Sequence, residues 1–440
     1  MIMAMIRPET EMKDTGIEWI GIIPSSWTIF PANGVFSEVK EKNMDLKLTN
    51  AFSFKYGEIV DKKQVGDVDN NLKETLSSYT IVRKNTIMIN GLNLNYDFVS
   101  QRVAIVNESG VITSAYLAIQ PDENKINPRF VLYLLKSYDY QQVFHGLGSG
   151  IRKTLKYQDF KKIMIVAPTL SEQQVIADYL DETCSRIDEI IAEAKASIDE
   201  YENLRQSIIY EILTKGPDDN VEMKDSGVEW IGKVPSHWMI GKVKYGTTKV
   251  GSGKTPKGGA EVYMTSGVMF LRSQNIYNDG LRLDNPYYIS EEIDEEMKNT
   301  RVQKNDVLLN ITGGSIGRCC IFDGSIPNAN VNQHVCIIRV NSSVFLPEYM
   351  HLFWISPIGQ ISIKSYQTGG NREGMSAEAI KNTPIPIIPI GEQRRIVDLI
   401  KPKIDDFNSL ITEKESLIND LEAYKKSLIY EVVTGKRRVV

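Results

Sequence analysis

Residues 12–21, MKDTGIEWIG, return as MKDSGVEWIG at residues 223–232. Trp19, Pro24 and Trp27 recur as Trp230, Pro235 and Trp238, each 211 positions on. A period of about 200 residues is far too long for a solenoid or a propeller, so a whole folding unit is written twice. The far ends agree: SIIYEILTKG at 207–216 is answered by SLIYEVVTGK at 427–436, now 220 apart. Nine residues were gained between these anchors. Lys84-Asn85 already pairs with Lys304-Asn305 at 220, which places the net gain around residues 251–260. Pro128, Phe130 and Ser137 match Pro347, Tyr349 and Ser356, and Arg152 matches Arg372. Likeness at the edges with divergent middles implies a common frame holding two different working surfaces.

With 440 residues and 42% hydrophobic content, the chain supports two domains with real cores. No apolar run approaches the ~18 residues of a membrane span, and the short opening MIMAMI lacks a basic flank and a cleavage site. A cytoplasmic protein is expected. Cys184, Cys319, Cys320 and Cys336 form no CxxC pair and the four histidines show no ligand spacing, so no metal site is expected. His334-x-Cys336 lies in a strand-like apolar run and reads as core.

The net charge of −5 looks wrong for a nucleic-acid binder until it is divided by region. Residues 31–168 hold 18 Lys+Arg against 14 Asp+Glu, and residues 241–390 hold 15 against 13, so both middles are mildly basic. Residues 171–216 hold 4 against 11, which concentrates the acidity in one element. Any DNA contact must therefore come from local clusters and not from a global field.

That acidic element reads as a helix with a heptad seam: Leu180, Cys184, Ile187, Ile191, Ala194, Ile198, Tyr201, Arg205, Ile208 and Ile212. A shift of 220 gives Ile400, Ile404, Phe407, Ile411, Lys414, Ile418, Leu421, Lys425, Leu428 and Val432 in the same phase. Neither helix is stable with its apolar stripe exposed, so the economical solution pairs the two. Pro402, without a backbone N–H, is expected to separate a short leading helix, 392–400, from the main one. The seam covers 32 residues from Leu180 to Ile212. At 1.5 Å per residue that is about 48 Å, or roughly 14 base pairs of B-DNA. An antiparallel pair relates the halves by a pseudo-twofold, matching the local dyad of a duplex.

Three enzyme-like motifs fail on inspection. GSGKT at 251–255 lacks the leading glycine of a phosphate loop, since Thr248 stands in its place. Asn285-Pro286-Tyr287-Tyr288 lacks the second proline of the amino-methyltransferase tetrad. Pro217-Asp218 with Glu222-x-Lys224 is too short for a nuclease signature, and Glu222-Met223-Lys224 simply repeats Glu11-Met12-Lys13. The four repeated tryptophans belong to the frame, so packing is favoured over base stacking. Tyr133, Tyr138 and Tyr140, spaced helically with Leu134 and Leu135, read as core.

The paired MKDSGVEWIGKVPSHW-type openings, the Glu172-Gln173-Gln174 and Glu392-Gln393-Arg394 helix starts and the terminal SLIYEVVTGK resemble the specificity subunit of type I restriction-modification enzymes. The resemblance covers essentially the whole chain. It implies an α+β chain: two mixed α/β target-recognition domains related by a pseudo-twofold and joined by two long helices in an antiparallel coiled coil. The divisions expected are 1–168, 169–216, 217–390 and 391–440. It further implies a non-catalytic subunit without a cofactor of its own that reads a bipartite double-stranded DNA target, one half-site per domain. Modification subunits would supply S-adenosylmethionine chemistry, docking on the acidic face between Asp178 and Glu211, and restriction subunits ATP-driven translocation and cleavage. No membrane is involved. A stand-alone coiled-coil DNA-binding regulator and a protein scaffold are the rival readings.

The middles resemble that family's recognition domains in FLRSQNIYNDG at 270–280 and DVLLNITGGSIGRCCIF at 306–322. These supply Arg272, Gln274, Asn275, Thr312 and Arg318 as candidate DNA contacts, with Lys254 and Thr255 added from the GSGKT loop. The first domain departs here, because Gln101-Arg102 replaces Gly317-Arg318, and Arg102 becomes its candidate. Before each long helix lies a glycine-and-arginine loop, GLGSGIRK at 146–153 and QTGGNREG at 367–374. Gly148, Arg152, Lys153, Gly370 and Arg372 are candidates there: small residues admit a groove wall and arginine offers a fork to phosphate or guanine. An ordinary strand-to-helix turn is the alternative.

Overall fold

The computed structural model describes residues 4–62, 70–98, 101–148, 153–366 and 374–439. The chain separates into two compact units, one of residues 1–195 with 415–440 and one of residues 196–414. Both boundaries fall inside long helices, Leu170–Lys215 and Ile390–Val433, so each unit holds one end of each.

The two units repeat one strand pattern. In the first, an antiparallel sheet runs Val103–Ile105, Ile87–Ile89, Leu117–Pro121, Phe36–Glu38. In the second the same order is Cys319–Ile321, Val307–Asn310, Val335–Val340, Thr247–Ser252. Each unit adds a second sheet built on a parallel pair, Ala51–Lys55 with Gly110–Ile112 and Val268–Leu271 with Ala329–Val331. The strands Ile87–Ile89, Gly110–Ile112, Val307–Asn310 and Ala329–Val331 are short, mostly apolar and buried throughout. Residues 251–260, where the sequence gain was expected, run from the end of Thr247–Ser252 into a short 3-10 turn at Gly259–Val262 that precedes Val268–Leu271.

The repeated frame is the docking of each domain's entrance onto a helix end. Met12–Asp14 pairs with Ile22–Pro24, and Met223–Asp225 with Lys233–Pro235. Trp27 and Trp238 are fully buried, which bears out packing over stacking for this pair. Each meets the glycine that ends a long helix in the left-handed region: Gly435 (φ 72°) lies against Pro24 and Trp27, and Gly216 (φ 80°) against Trp238 and Pro235. A Cβ on Gly435 would stand 2.4 Å from Pro24, so glycine is required there by both backbone and space. Tyr430 and Tyr210 donate their hydroxyls to the carbonyls of Ile20 and Ile231. Within the first unit the strands Ala4–Ile6 and Arg437–Val439 pair as well.

The glutamines of the helix starts are structural. Gln173, buried, accepts from Asn127 N–H at 2.7 Å and donates to the Pro168 carbonyl. Gln393, fully buried, accepts from Leu346 N–H at 2.8 Å and donates to the carbonyls of Val344 and Ile388. Each thereby ties a long helix to the start of the domain helix, Pro128–Tyr140 or Pro347–Ile355. Tyr138 is buried with its hydroxyl on the Met164 carbonyl, and Tyr133 bonds Asp181.

Inside each unit the helix ends pack on the expected seam. In the first, Leu180, Cys184, Ile187, Ile191 and Ala194 are buried, as are Ile418, Leu428 and Val432. The helices run antiparallel: Asp188 meets Lys425 at 2.6 Å, and of the two cavities that this pair lines one is shared by Cys184 and Ile429 and the other by Lys195 and Glu422. In the second, Ile212 and Ile400 are buried and Arg205 donates to Asn408 at 2.6 Å beside the Tyr201–Phe407 ring pair. The seam cations Arg205 and Lys425 thus each take a polar partner on the facing helix.

One expectation is corrected. Pro402 does not divide its helix, which continues from Ile390 to Val433; it stands on the exposed face, where the carbonyl it leaves unpaired is open to water. On the acidic helix Asp178 and Asp181 pair with Arg129 at 2.7 and 2.5 Å and Asp188 with Lys425, all three carboxylates remaining exposed. Among the described residues no helix is long and apolar enough to cross a membrane, and no cluster of His, Cys, Asp or Glu could hold a metal ion. All four cysteines are buried and free.

Candidate nucleic-acid interface

In the second unit most of the candidates converge on one end of the sheets. Ser252, Leu271, Asn310 and Val331 close their strands at that end, while Cys319 and Val335 open theirs. Lys254 and Thr255 follow Ser252, both exposed, with Lys254 N–H on the Val331 carbonyl. Thr255 Oγ1 donates to Gln333, whose amide meets His334 Nε2 at 2.9 Å, and His334 Nδ1 meets Thr312 Oγ1 at 2.5 Å. Thr312 in turn bridges to Gly374, the last residue of the glycine-and-arginine loop. One chain of contacts thus links four segments far apart in sequence. His334 was read as core together with Cys336; the cysteine is buried, but the imidazole belongs to this edge.

The arginines of this edge lie on aromatic faces. Arg272 has its guanidinium carbon 4.0 Å from the ring centre of Tyr287 and 5.7 Å from that of Tyr263. Arg318 and Arg282 share Tyr277, at 4.5 and 5.2 Å. Stacking fixes the plane of a guanidinium and leaves its N–H groups to other partners; Arg282 gives one of its own to Asp279 at 2.5 Å. Gln274 is exposed beside them. Asn275 is not available: it is buried, accepts from Arg272 N–H at 2.9 Å and donates to the Arg282 carbonyl at 2.8 Å. Its amide shapes the turn that carries the arginines.

The first unit treats the same place differently. Asn90 N–H donates to the Arg102 carbonyl as Asn310 N–H does to that of Arg318, so the two arginines are structurally equivalent. Arg102 is nevertheless fully buried. Its Nη1 donates to the carbonyls of Asn90 and Leu92, both at 2.9 Å, and its Nη2 to that of Asp97 at 2.5 Å, with the Asp97 carboxylate 3.5 Å away. Its backbone N–H donates to the buried Asp139 at 2.7 Å. Burial pushes the Asp139 carboxyl up to about 6, against that N–H bond, which favours the ionised form. With both terminal nitrogens committed to carbonyls, Arg102 cannot serve a phosphate or a base; it clamps the loop 90–97. Gly148 packs against Leu94 and Lys153, where a Cβ would stand within 3.0 Å, and Lys153 is exposed at φ 32°. Arg152, Gly370 and Arg372 lie outside the described residues.

The model of the type I restriction modification DNA specificity domain matches residues 24–200 and again residues 236–420. The chain belongs to that family. Each match takes in one divergent middle and runs on into the long helix that follows it, so the duplication in the sequence is a duplication of this domain. The specificity subunit of the Escherichia coli type I restriction enzyme EcoBI is 22% identical over 409 residues, covering 88% of this chain and 84% of that one. A putative specificity subunit of Methanocaldococcus jannaschii, MjaX, is 23% identical and covers 100% of this chain and 99% of its own. A chain of a solved type I R-M system has the same fold: TM-score 0.70 at 13% identity, covering 94% of this chain and 99% of that one.

Sequence reasoning missed Tyr263, Tyr277 and Tyr287, on which the arginines of the second specificity domain lie. An aromatic five to forty-one residues from an arginine carries no signal that the two will stack.

Proposed function

We propose that this chain is the DNA-recognition subunit of a type I restriction-modification complex, itself without catalysis, with one half-site of a bipartite double-stranded target read by each specificity domain. The observation that carries this reading is that one sheet edge occurs twice and is furnished with different side chains each time. In the second domain Lys254, Thr255, Arg272, Gln274, Thr312 and Arg318 are the proposed contacts: the stacked arginines suit guanine O6 and N7, and Lys254 a phosphate. Lys153, Gly148, Arg152, Gly370 and Arg372 stay as proposed DNA contacts of the two glycine-and-arginine loops, the arginines to phosphate or guanine. Arg102 and Asn275 leave the set. The paired helices fix the gap between half-sites, and Asp199, Glu200 and Glu202, exposed on the acidic helix, are the proposed docking charges for a modification subunit. Modification and restriction subunits supply the methyl transfer and the translocation and cleavage.

The test is a methylome from cells carrying this chain with its modification subunits. The modified motif is expected to have two unlike halves around a fixed gap. Exchange of residues 31–168 for another such domain changes one half only. A lone chain that bound one short contiguous site at full affinity would sink the bipartite reading.

A further inference from the structure

The edge of the first specificity domain that corresponds to the arginine edge of the second presents aromatic rings to solvent. Tyr56 is 87% exposed, Tyr96 72% and Phe98 52%. Large rings are costly to leave in water, at about 25 cal/mol for each Å² of apolar surface, and here they stand on a built support. Tyr56 (φ 48°) and Gly57 (φ 78°) form the two-residue turn between Ala51–Lys55 and Glu58–Asp61. A Cβ on Gly57 would lie 2.7 Å from Gln101, so the turn rests directly on that side chain. The next residue, Arg102, grips the carbonyls of Asn90, Leu92 and Asp97, on either side of Tyr96. His145 stacks on Phe98 at 5.0 Å and 16° and bonds the Asp97 carbonyl at 2.9 Å. The two ring-bearing loops thereby meet at Gln101-Arg102: Gly57 rests on Gln101, and the Arg102 guanidinium is turned inward on the loop that carries Tyr96 and Phe98, the Phe98 ring also lining a cavity with Lys195 and Lys425 of the long helices.

We infer that Tyr56, Tyr96 and Phe98 are the specificity-determining residues of the first domain and that they read thymine through its 5-methyl group. The inference rests on the reading of this chain as a DNA-recognition subunit. Base edges in the major groove present hydrogen-bonding groups with one apolar exception, the thymine methyl, and an apolar ring surface complements that exception alone. The stacked guanidinium forks of the other domain complement the acceptor pair of guanine. The two half-sites therefore differ in the chemistry by which they are read, apolar contact in the first and charged hydrogen bonding in the second.

The experiment uses the full chain assembled with its modification subunits and duplexes bearing the methylome-derived target. Thymines are replaced by deoxyuridine, which removes only the methyl, in one half-site at a time. In the first half-site each contacted methyl removed weakens binding about fourfold, from ~0.8 kcal/mol per buried methyl; in the second half-site the same replacement has no effect. Tyr96→Ala, on an exposed side chain whose loss leaves thermal unfolding unchanged, weakens binding about tenfold, on the scale of one mismatched base pair. It also abolishes the deoxyuridine effect. A first half-site without thymine, indifference to deoxyuridine, or an equal response in both half-sites overturns the inference while leaving the bipartite reading intact. Failure of the assembled complex to prefer any sequence overturns that reading itself.

Discussion

Arg102 and Arg318 occupy the same place in two copies of one fold and do opposite things. Arg318 lies over Tyr277, half-exposed, at an edge of cations laid on rings. Arg102 is buried among carbonyls, and the rings it supports face outward. The difference shows how a duplicated scaffold diversifies. The strand order and the docked frame stay fixed because each contact there is used by the core. The side chain at a strand end can turn in or out without disturbing the ladder, since only its backbone belongs to the sheet. A buried arginine builds a loop, whereas a stacked arginine is itself a donor surface.

The largest effect expected is therefore on stability in one domain and on binding in the other. Arg102→Leu leaves the carbonyls of Asn90, Leu92 and Asp97 without their donors and the Asp97 carboxylate without its cation, while the backbone N–H of residue 102 still serves Asp139; it is expected to cost about 4 kcal/mol, the scale for removing one partner of a buried ionic network. Arg318→Leu loses a cation–π contact of about 1 kcal/mol while weakening DNA binding. Urea unfolding with parallel binding titrations distinguishes the two; equal losses of stability would show that the arginines do the same work. A smaller effect follows from Asp139. Its folded pKa of about 6 lies above its ordinary value of 3.8, so its contribution to stability is fully present below pH 3.8 and is lost as pH rises through 6. The shift of roughly two units amounts to about 3 kcal/mol. Asp139→Asn keeps an acceptor for Arg102 N–H and cannot ionise, so its stability relative to the unsubstituted chain is expected to rise between pH 4 and pH 7. A difference that is flat with pH in denaturation midpoints would remove Asp139 from the clamp.

What was legible in the sequence was what repeats locally. The seam from Leu180 to Ile212 and its partner from Ile400 to Val432 followed from spacing alone, because the apolar period is a property of one helix. Pro402 misled for the same reason: a propensity argument sees the missing N–H but not that the residue stands on the outer face of a helix held elsewhere by its seam. The equivalence of Arg102 and Arg318 could be read from the alignment of the halves. Their opposite orientations could not, since these depend on whether residues 90–97 fold back over the strand end, a long-range event. Tyr56, Tyr96 and Phe98 were passed over because a lone aromatic in a polar stretch looks the same in sequence whether it ends in core or in water.

The smallest difference expected lies inside the shared frame. Trp238 donates its indole N–H to Glu392 at 2.9 Å, and Glu392 also meets His237 at 3.1 Å. Trp27, its counterpart, is equally buried, yet its indole nitrogen has no partner among the described residues. The equivalent carboxylate, Glu172, turns instead to Arg7 at 3.3 Å. Both tryptophans fill the same volume against a glycine at a helix end, so Trp→Phe removes a similar packing contribution from each. At Trp238 it also strips a buried carboxylate of one donor, whereas at Trp27 it deletes a donor that was already unsatisfied. Trp238→Phe is thus expected to cost on the order of 1 kcal/mol more than Trp27→Phe, the net worth of one buried hydrogen bond. Unfolding midpoints of the two variants in urea measure that gap. A gap of zero would mean that the frame is energetically symmetric and that the asymmetry between the halves begins only at the sheet edges.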